Sequence, residues 1–348
     1  MTFFSILFAL IAEQYRPVTS NHWIARISAR WLDWVAGEFG GKTEQGASPV
    51  GARMACLVAF ILPTFLVFVI YVICMVTFPI LGFLWNVLIA YLFFGFRQFS
   101  HSFTLVHEAI ANHDLPAARL AIAEWYGPEL DASHLTETEV ISLALERAII
   151  GSHHHVFGVL FWFLMPMGPA GVVLYRLADT AAQRWSDKGD FNLSEAARHF
   201  FYVLDWVPAR ITAMGFAIVG NFEGAVYAWR HLTSKWSDSL SAVILASGSG
   251  ALGVRLGEPM SEPNSDEALR MAEAGEPVVY EVGLEPNERT MRSAIGLVWR
   301  LVIAWMALLL MLTIAEQRYR PGDTTPRPRG PLVLRTRTTH QIHGDASQ

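Results

Sequence analysis

A chain of 348 residues that is 53% hydrophobic and only 16% charged, with positive mean hydropathy, has the composition of a membrane protein, because soluble domains carry about 25% charged residues. Its net charge of −5 builds no basic field, which argues against a nucleic-acid partner. Cys56 and Cys74 lie inside one apolar run and offer neither a disulfide framework nor a zinc set.

In chain order, Met1–Ala12 is apolar but lacks a basic leader and a small-residue cleavage site, and Glu13 follows directly. It reads as a retained anchor. From Met54 to Phe96 run 43 uncharged residues bracketed by Arg53 and Arg97, about 65 Å of helix and so two passes through a core of roughly 30 Å. The break is expected near Phe78-Pro79-Ile80-Leu81-Gly82, where proline and glycine favour a turn. Residues 97–155 form a polar stretch with helical spacing over Leu115–Glu124 and Glu137–Ile150, and Thr136-Glu137-Thr138-Glu139 matches a capping box.

A third span, Val156–Tyr175, is uncharged but interrupted by Pro166, Gly168, Pro169 and Gly171, which predicts a helical hairpin or a broken helix. The fourth lies between His199 and Glu223 and carries Asp205 and Arg210 around Pro208. The fifth is Ala294–Ile314, with Arg300 placed to snorkel. Residues 224–293 are acidic and glycine-containing, and the tail after Glu316 is rich in proline, threonine and arginine, the composition of a disordered segment. The arginines of 16–53 and of the tail place both in the cytoplasm by the positive-inside rule, 97–155 with them and 224–293 outside; a re-entrant 156–175 reverses the last assignment. The fold class is therefore all-α: a polytopic membrane domain over 1–315 with about five membrane segments and amphipathic helices, then a disordered tail over 316–348.

Asp205 and Arg210 are the first candidates for chemistry. Each charge costs about 2.5–3.5 kcal/mol at a bilayer centre and so needs a partner. Five residues apart on a helix they diverge by about 140°, so each is expected to pair with another helix; they serve either as an interhelical lock or as an anion or substrate site. Glu146 and Arg147 before the third span, and Arg176 and Asp179 after it, can organise magnesium and phosphate or simply flank the interface. Ser247-Gly248-Ser249-Gly250-Ala251-Leu252-Gly253 matches G-x-G-x-x-G behind Leu240–Ala246, which passes for a strand. No β-α-β unit follows, which argues against a dinucleotide site, while a glycine-rich turn presenting amides to phosphate stays open. His153-His154-His155 cannot all face one ion from a helix, which favours a water-facing cap over a metal site.

With these residues in hand, the chain resembles the CobD/CbiB family of membrane proteins of cobalamin biosynthesis and its relative AmpE. The matching words fall in order: the apolar start ending near Glu13; Ala144-Leu145-Glu146-Arg147-Ala148 ahead of Leu160-Phe161-Trp162; Tyr175-Arg176-Leu177-Ala178-Asp179-Thr180, like Y-R-x-x-N-T; Leu204-Asp205-Trp206-Val207-Pro208-Ala209-Arg210, like L-N-W-I-P-A-R; and Gly250-Ala251-Leu252-Gly253-Val254-Arg255-Leu256-Gly257, like G-A-L-G-V-R-L-G.

The resemblance implies a multi-pass protein of the bacterial inner membrane. Its implied reaction is ATP-dependent amide formation between adenosylcobyric acid, a corrinoid, and aminopropanol phosphate, with magnesium. On that reading Glu146, Asp179 and Asp205 are candidate catalytic groups, and Arg176, Arg210, Arg255, Gly250 and Gly253 candidate substrate or phosphate holders. The chain departs from the family at three acidic words. Ile150–Val156 stands where A-E-N-x-x-D-G is expected, Phe201 and Tyr202 where an acidic pair is expected, and Tyr126–Glu129 where G-R-D-T is expected. These losses, with Asp205 for asparagine, leave an AmpE-like, non-catalytic signalling or scaffold role as the alternative.

Overall fold

A computed structural model describes residues 2–15, 23–40, 47–128, 130–186, 189–233, 239–257 and 283–319. Among them there is no strand, only one isolated bridge between Val254 and Leu284. The helices are α1 (Thr2–Tyr15), α2 (Trp23–Phe39), α3 (Pro49–Thr77), α4 (Pro79–Phe93), α5 (Phe96–Ala111), α6 (Leu115–Tyr126), α7 (Glu137–Ser152), α8 (Gly158–Leu164), α9 (Pro169–Ser186), α10 (Phe191–Val219), α11 (Phe222–Leu232), α12 (Ser239–Leu252) and α13 (Glu288–Tyr319). Most of the tail, and the acidic residues 258–282, lie outside the described residues.

Local chemistry sets the boundaries. Ser48, Asp114 and Asn221 cap α3, α6 and α11 by accepting amide hydrogen bonds, and Thr136 with Glu139 closes the expected capping box at α7. The break between α3 and α4 falls at Phe78, one residue before Pro79, as the sequence indicated.

Among the described residues three helices are long and apolar enough to cross a membrane: Pro49–Thr77, Phe191–Val219 and Glu288–Ala315. Phe3–Glu13, Pro79–Phe93 and Leu240–Leu252 are shorter apolar helices. Phe65, Leu66, Val76, Ile218 and Ile303 are exposed along the long helices, as a lipid-facing surface requires and a water-facing one does not. Lipid removes the hydrophobic drive between helices, so close approach through small residues does the packing. Ala52, Ala55 and Ala59 form the buried face of α3. Gly224 of α11 meets Gly250 of α12 so closely that a Cβ on either would strike the other's carbonyl.

Val156–Tyr175 takes the hairpin form that its prolines and glycines announced: α8 ends at Leu164, Met165–Gly168 turns with Gly168 at φ 53°, and α9 returns, with Gly171 against the Trp162 carbonyl. One expectation is corrected. Leu240–Ala246 is not a strand and the glycines behind it are not a turn, because all of Ser239–Leu252 is helical. A short apolar run carries no periodicity that separates strand from buried helix.

Candidate functional site

α7 runs directly into a π-helical turn, His153–Phe157, before α8. Successive residues of an α-helix point about 100° apart, but this widened turn lets both His153 and His154 reach the space between α9 and α10. There they meet Tyr175, Arg176 and Asp179 from α9 and Asp205 and Thr212 from α10. This overturns the water-facing cap: His153 is fully buried.

Asp205, also fully buried, lies with both oxygens against His153 Nε2, at 2.8 and 3.0 Å. Tyr175 donates its hydroxyl to Asp205 Oδ1 at 2.9 Å, and His153 Nδ1 lies 2.9 Å from Thr212 Oγ1. The expectation that Asp205 finds its partner on another helix holds. Beside it, Asp179 accepts from Arg176 Nη1 at 2.8 Å and from Gln183 Nε2 at 2.7 Å. His154 Nδ1 is 3.4 Å from Asp179 Oδ1, so His154 stands between the two carboxylates. Phe201, in the place of an expected acid, sets its ring edge-on to His154 at 5.4 Å and lies 5.5 Å from Tyr175, closing the cluster with apolar surface. Arg176 also lines a cavity of about 80 Å³ with Ile24, Ser28, Phe94, Gly95 and Thr180.

The other candidates lie elsewhere. Arg210 is directed away from Asp205; it donates to its own helix at the Trp206 carbonyl, 3.0 Å, and stacks over the Trp206 ring at 3.9 Å. The expectation of a partner on another helix is corrected for this residue, whose cation is held by an aromatic face. Glu146 sits seven residues before His153, about 10 Å along the axis, and accepts from Gly257 N at 2.7 Å. It anchors the turn after α12. Next to it Arg147 lies over the Tyr126 ring at 4.4 Å, and burial together with the Glu146 charge pushes the Tyr126 phenol up to about 12.

Arg255 is exposed and donates from Nε to the Gly283 carbonyl at 3.1 Å. Gly253, at φ 69°, ends α12. The amides of Gly253, Val254 and Arg255 donate to the Gly250, Ser249 and Leu284 carbonyls, so this turn directs no amide toward a phosphate. Of the residues singled out in the sequence, the structure thus brings together Asp179, Arg176 and Asp205, and sets Glu146, Gly250, Gly253, Arg255 and Arg210 apart from them. Tyr175, Thr212 and Gln183 escaped the sequence reading as site residues, and the histidine run was assigned to a water-facing cap. The run itself signals His153 and His154; for the others, the rule that a buried carboxylate needs donors names no partner.

Magnesium, which the family resemblance implies, takes oxygen ligands in near-octahedral order and keeps several waters. Here the carboxylates share the cluster with two imidazoles, whose nitrogens suit softer ions than magnesium. That donor set does not fit a magnesium ion held by the protein.

Comparison with known proteins places the geometry. The family model described as CobD/Cbib protein matches residues 5–279. A protein of Stutzerimonas stutzeri named cobalamin biosynthesis protein CobD is 32% identical over 234 residues, 67% of this chain and 74% of its own length. One of the same name from Chromobacterium violaceum is 33% identical over 181 residues, 51% of this chain and 57% of its own. No solved structure matches. The chain belongs to the CobD/CbiB family.

Proposed function

From that membership we propose that the protein acts in cobalamin biosynthesis at the bacterial inner membrane, joining adenosylcobyric acid to aminopropanol phosphate as an amide. The observation that carries the reading is convergence: the Tyr175–Thr180 word and the Leu204–Arg210 word, distant in sequence, supply Arg176, Asp179 and Asp205 to one buried cluster beside a cavity.

A carboxylate does not condense with an amine unaided, because its oxygen is a poor leaving group. ATP supplies the activation: one carboxylate oxygen takes the terminal phosphoryl group, ADP leaves, and the amine displaces phosphate from the resulting acyl phosphate while losing a proton. Arg176 retains guanidinium donors beyond the one given to Asp179, and these suit a phosphate or carboxylate entering the cavity. The proton of the attacking amine leaves with the released phosphate, while Asp179 steadies Arg176 and stands against His154. Asp205, His153, Tyr175 and Thr212 orient that pair from behind.

The test is direct. Purified protein in detergent, supplied with adenosylcobyric acid, aminopropanol phosphate, ATP and magnesium salt, is expected to yield adenosylcobinamide phosphate by mass spectrometry, with Arg176→Ala strongly impaired. A deletion strain is expected to lose cobalamin formation from cobyric acid and regain it on added cobinamide. Unchanged corrinoid output in that strain, with no ATP turnover by the protein, overturns this reading in favour of the non-catalytic one.

A further inference from the structure

We propose that His153, His154 and Asp205 bind one divalent first-row transition-metal ion, zinc being the best match, between the π-helical turn, α9 and α10, with Asp179 bracing His154 from outside the ligand set. Ligand atoms of His153, His154 and Asp205 all lie within 4.8 Å of one another, and Asp179 adjoins through His154 at 3.4 Å. Zinc bonds of about 2.0–2.2 Å at tetrahedral angles put two ligand atoms about 3.4 Å apart, so the ion enters by opening the His153–Asp205 hydrogen bond of 2.8 Å and taking the place of its proton.

Three further observations point the same way. The first is the outer shell: His153 Nδ1 meets the Thr212 hydroxyl, Tyr175 donates to Asp205, and Arg176 and Gln183 donate to Asp179. Supporting groups of this kind fix the orientation of metal ligands. With Nδ1–H donated to Thr212, Nε2 is free to ligate a metal ion; in the metal-free protein the reverse tautomer donates Nε2–H to Asp205. The second is charge. Two carboxylates against one guanidinium leave one negative charge in a nearly dry cluster, where uncompensated charge is strongly disfavoured. The third is donor chemistry, since two imidazoles with one carboxylate suit zinc and its neighbours rather than magnesium. The π-helical turn, a form found mostly at functional sites, is what brings adjacent histidines into one set. His154 and the Arg176 side, the less buried flank, provide the way in.

The site is tested without corrinoid or nucleotide, so its failure is distinct from failure of the ligation reading. Protein stripped with chelator and then dialysed against zinc or cobalt chloride is expected to retain about one ion per chain by elemental analysis. Cobalt is expected to give the visible absorption of a nitrogen-and-oxygen ligand field, and magnesium to leave both zinc and cobalt in place. His154→Ala and Asp205→Asn are expected to release the ion, whereas Asp179→Asn and Thr212→Val are expected to weaken it about 10–100-fold and His231→Ala to leave it unchanged. Should His154→Ala fail to fold, the cobalt spectrum of the unaltered protein decides on its own: a spectrum like that of the hydrated ion overturns the proposal. So does zinc retention that folded His154→Ala leaves intact, or no retained ion at all, which would make a proton the cation of the cluster.

Discussion

Removing the His153 imidazole is expected to be among the most damaging single changes in the protein. His153→Ala leaves Asp205 fully buried and strips it of a donor at 2.8 Å while Tyr175 remains at 2.9 Å. Stranding a buried carboxylate by removing its partner costs about 3–5 kcal/mol, a large part of a total stability of about 5–15 kcal/mol. Tyr175→Phe removes one hydrogen bond to a charged group, worth about 1.5–3 kcal/mol. Asp205→Asn, which restores the amide of the family word, is expected to be milder than His153→Ala because no unpaired charge is left. Thermal unfolding in detergent, followed by intrinsic tryptophan fluorescence, should rank the variants in that order. The double variant His153→Ala/Asp205→Ala tests the cause: it should be distinctly less damaging than the sum of its two singles, since the stranded charge is gone. Additive effects would refute the claim that these two groups act as a pair.

Three other outcomes follow from named contacts. Gly250→Val forces a branched side chain into the Gly224 backbone at the α11–α12 crossing and should cost at least about 1–3 kcal/mol, seen as lost yield of folded protein in detergent. Gly253→Ala places a Cβ at φ 69°, where the left-handed conformation costs about 1–2 kcal/mol; the melting temperature should fall while zinc retention stays unchanged. Glu139 is held below the usual carboxylate range by the Thr136 amide and hydroxyl. A carboxyl whose folded value is depressed contributes above its unfolded value of about 4.3 and loses that contribution as pH falls through the folded value. Hydrogen exchange at the first turn of α7 should therefore quicken on acidification in the unaltered protein, and Glu139→Gln should abolish that pH dependence.

The hydrophobic pattern carried the helical architecture because it is local: charge-free length sets a span, Pro79 sets a break, and a threonine three residues before a glutamate sets a helix start. Where the signal was compositional it misled. The Leu240–Ala246 run has the same apolar content whether strand or helix, and its packing against α10 and α11 decided for helix.

For the site, the sequence by itself determined that Asp205 could not stand alone, since a carboxylate in an apolar span demands donors, and family words marked Arg176 and Asp179 as its companions. It could not determine which donors answered. His153 comes from a stretch that reads as an interfacial histidine run, and only the π-helical turn, a backbone departure with no signature in residue type, rotates it inward. Tertiary structure likewise sent Arg210 to Trp206 and Glu146 to Gly257, because the direction of a side chain depends on which helix lies across from it. A one-dimensional pattern fixes which groups need partners, whereas three-dimensional packing decides which partners they have.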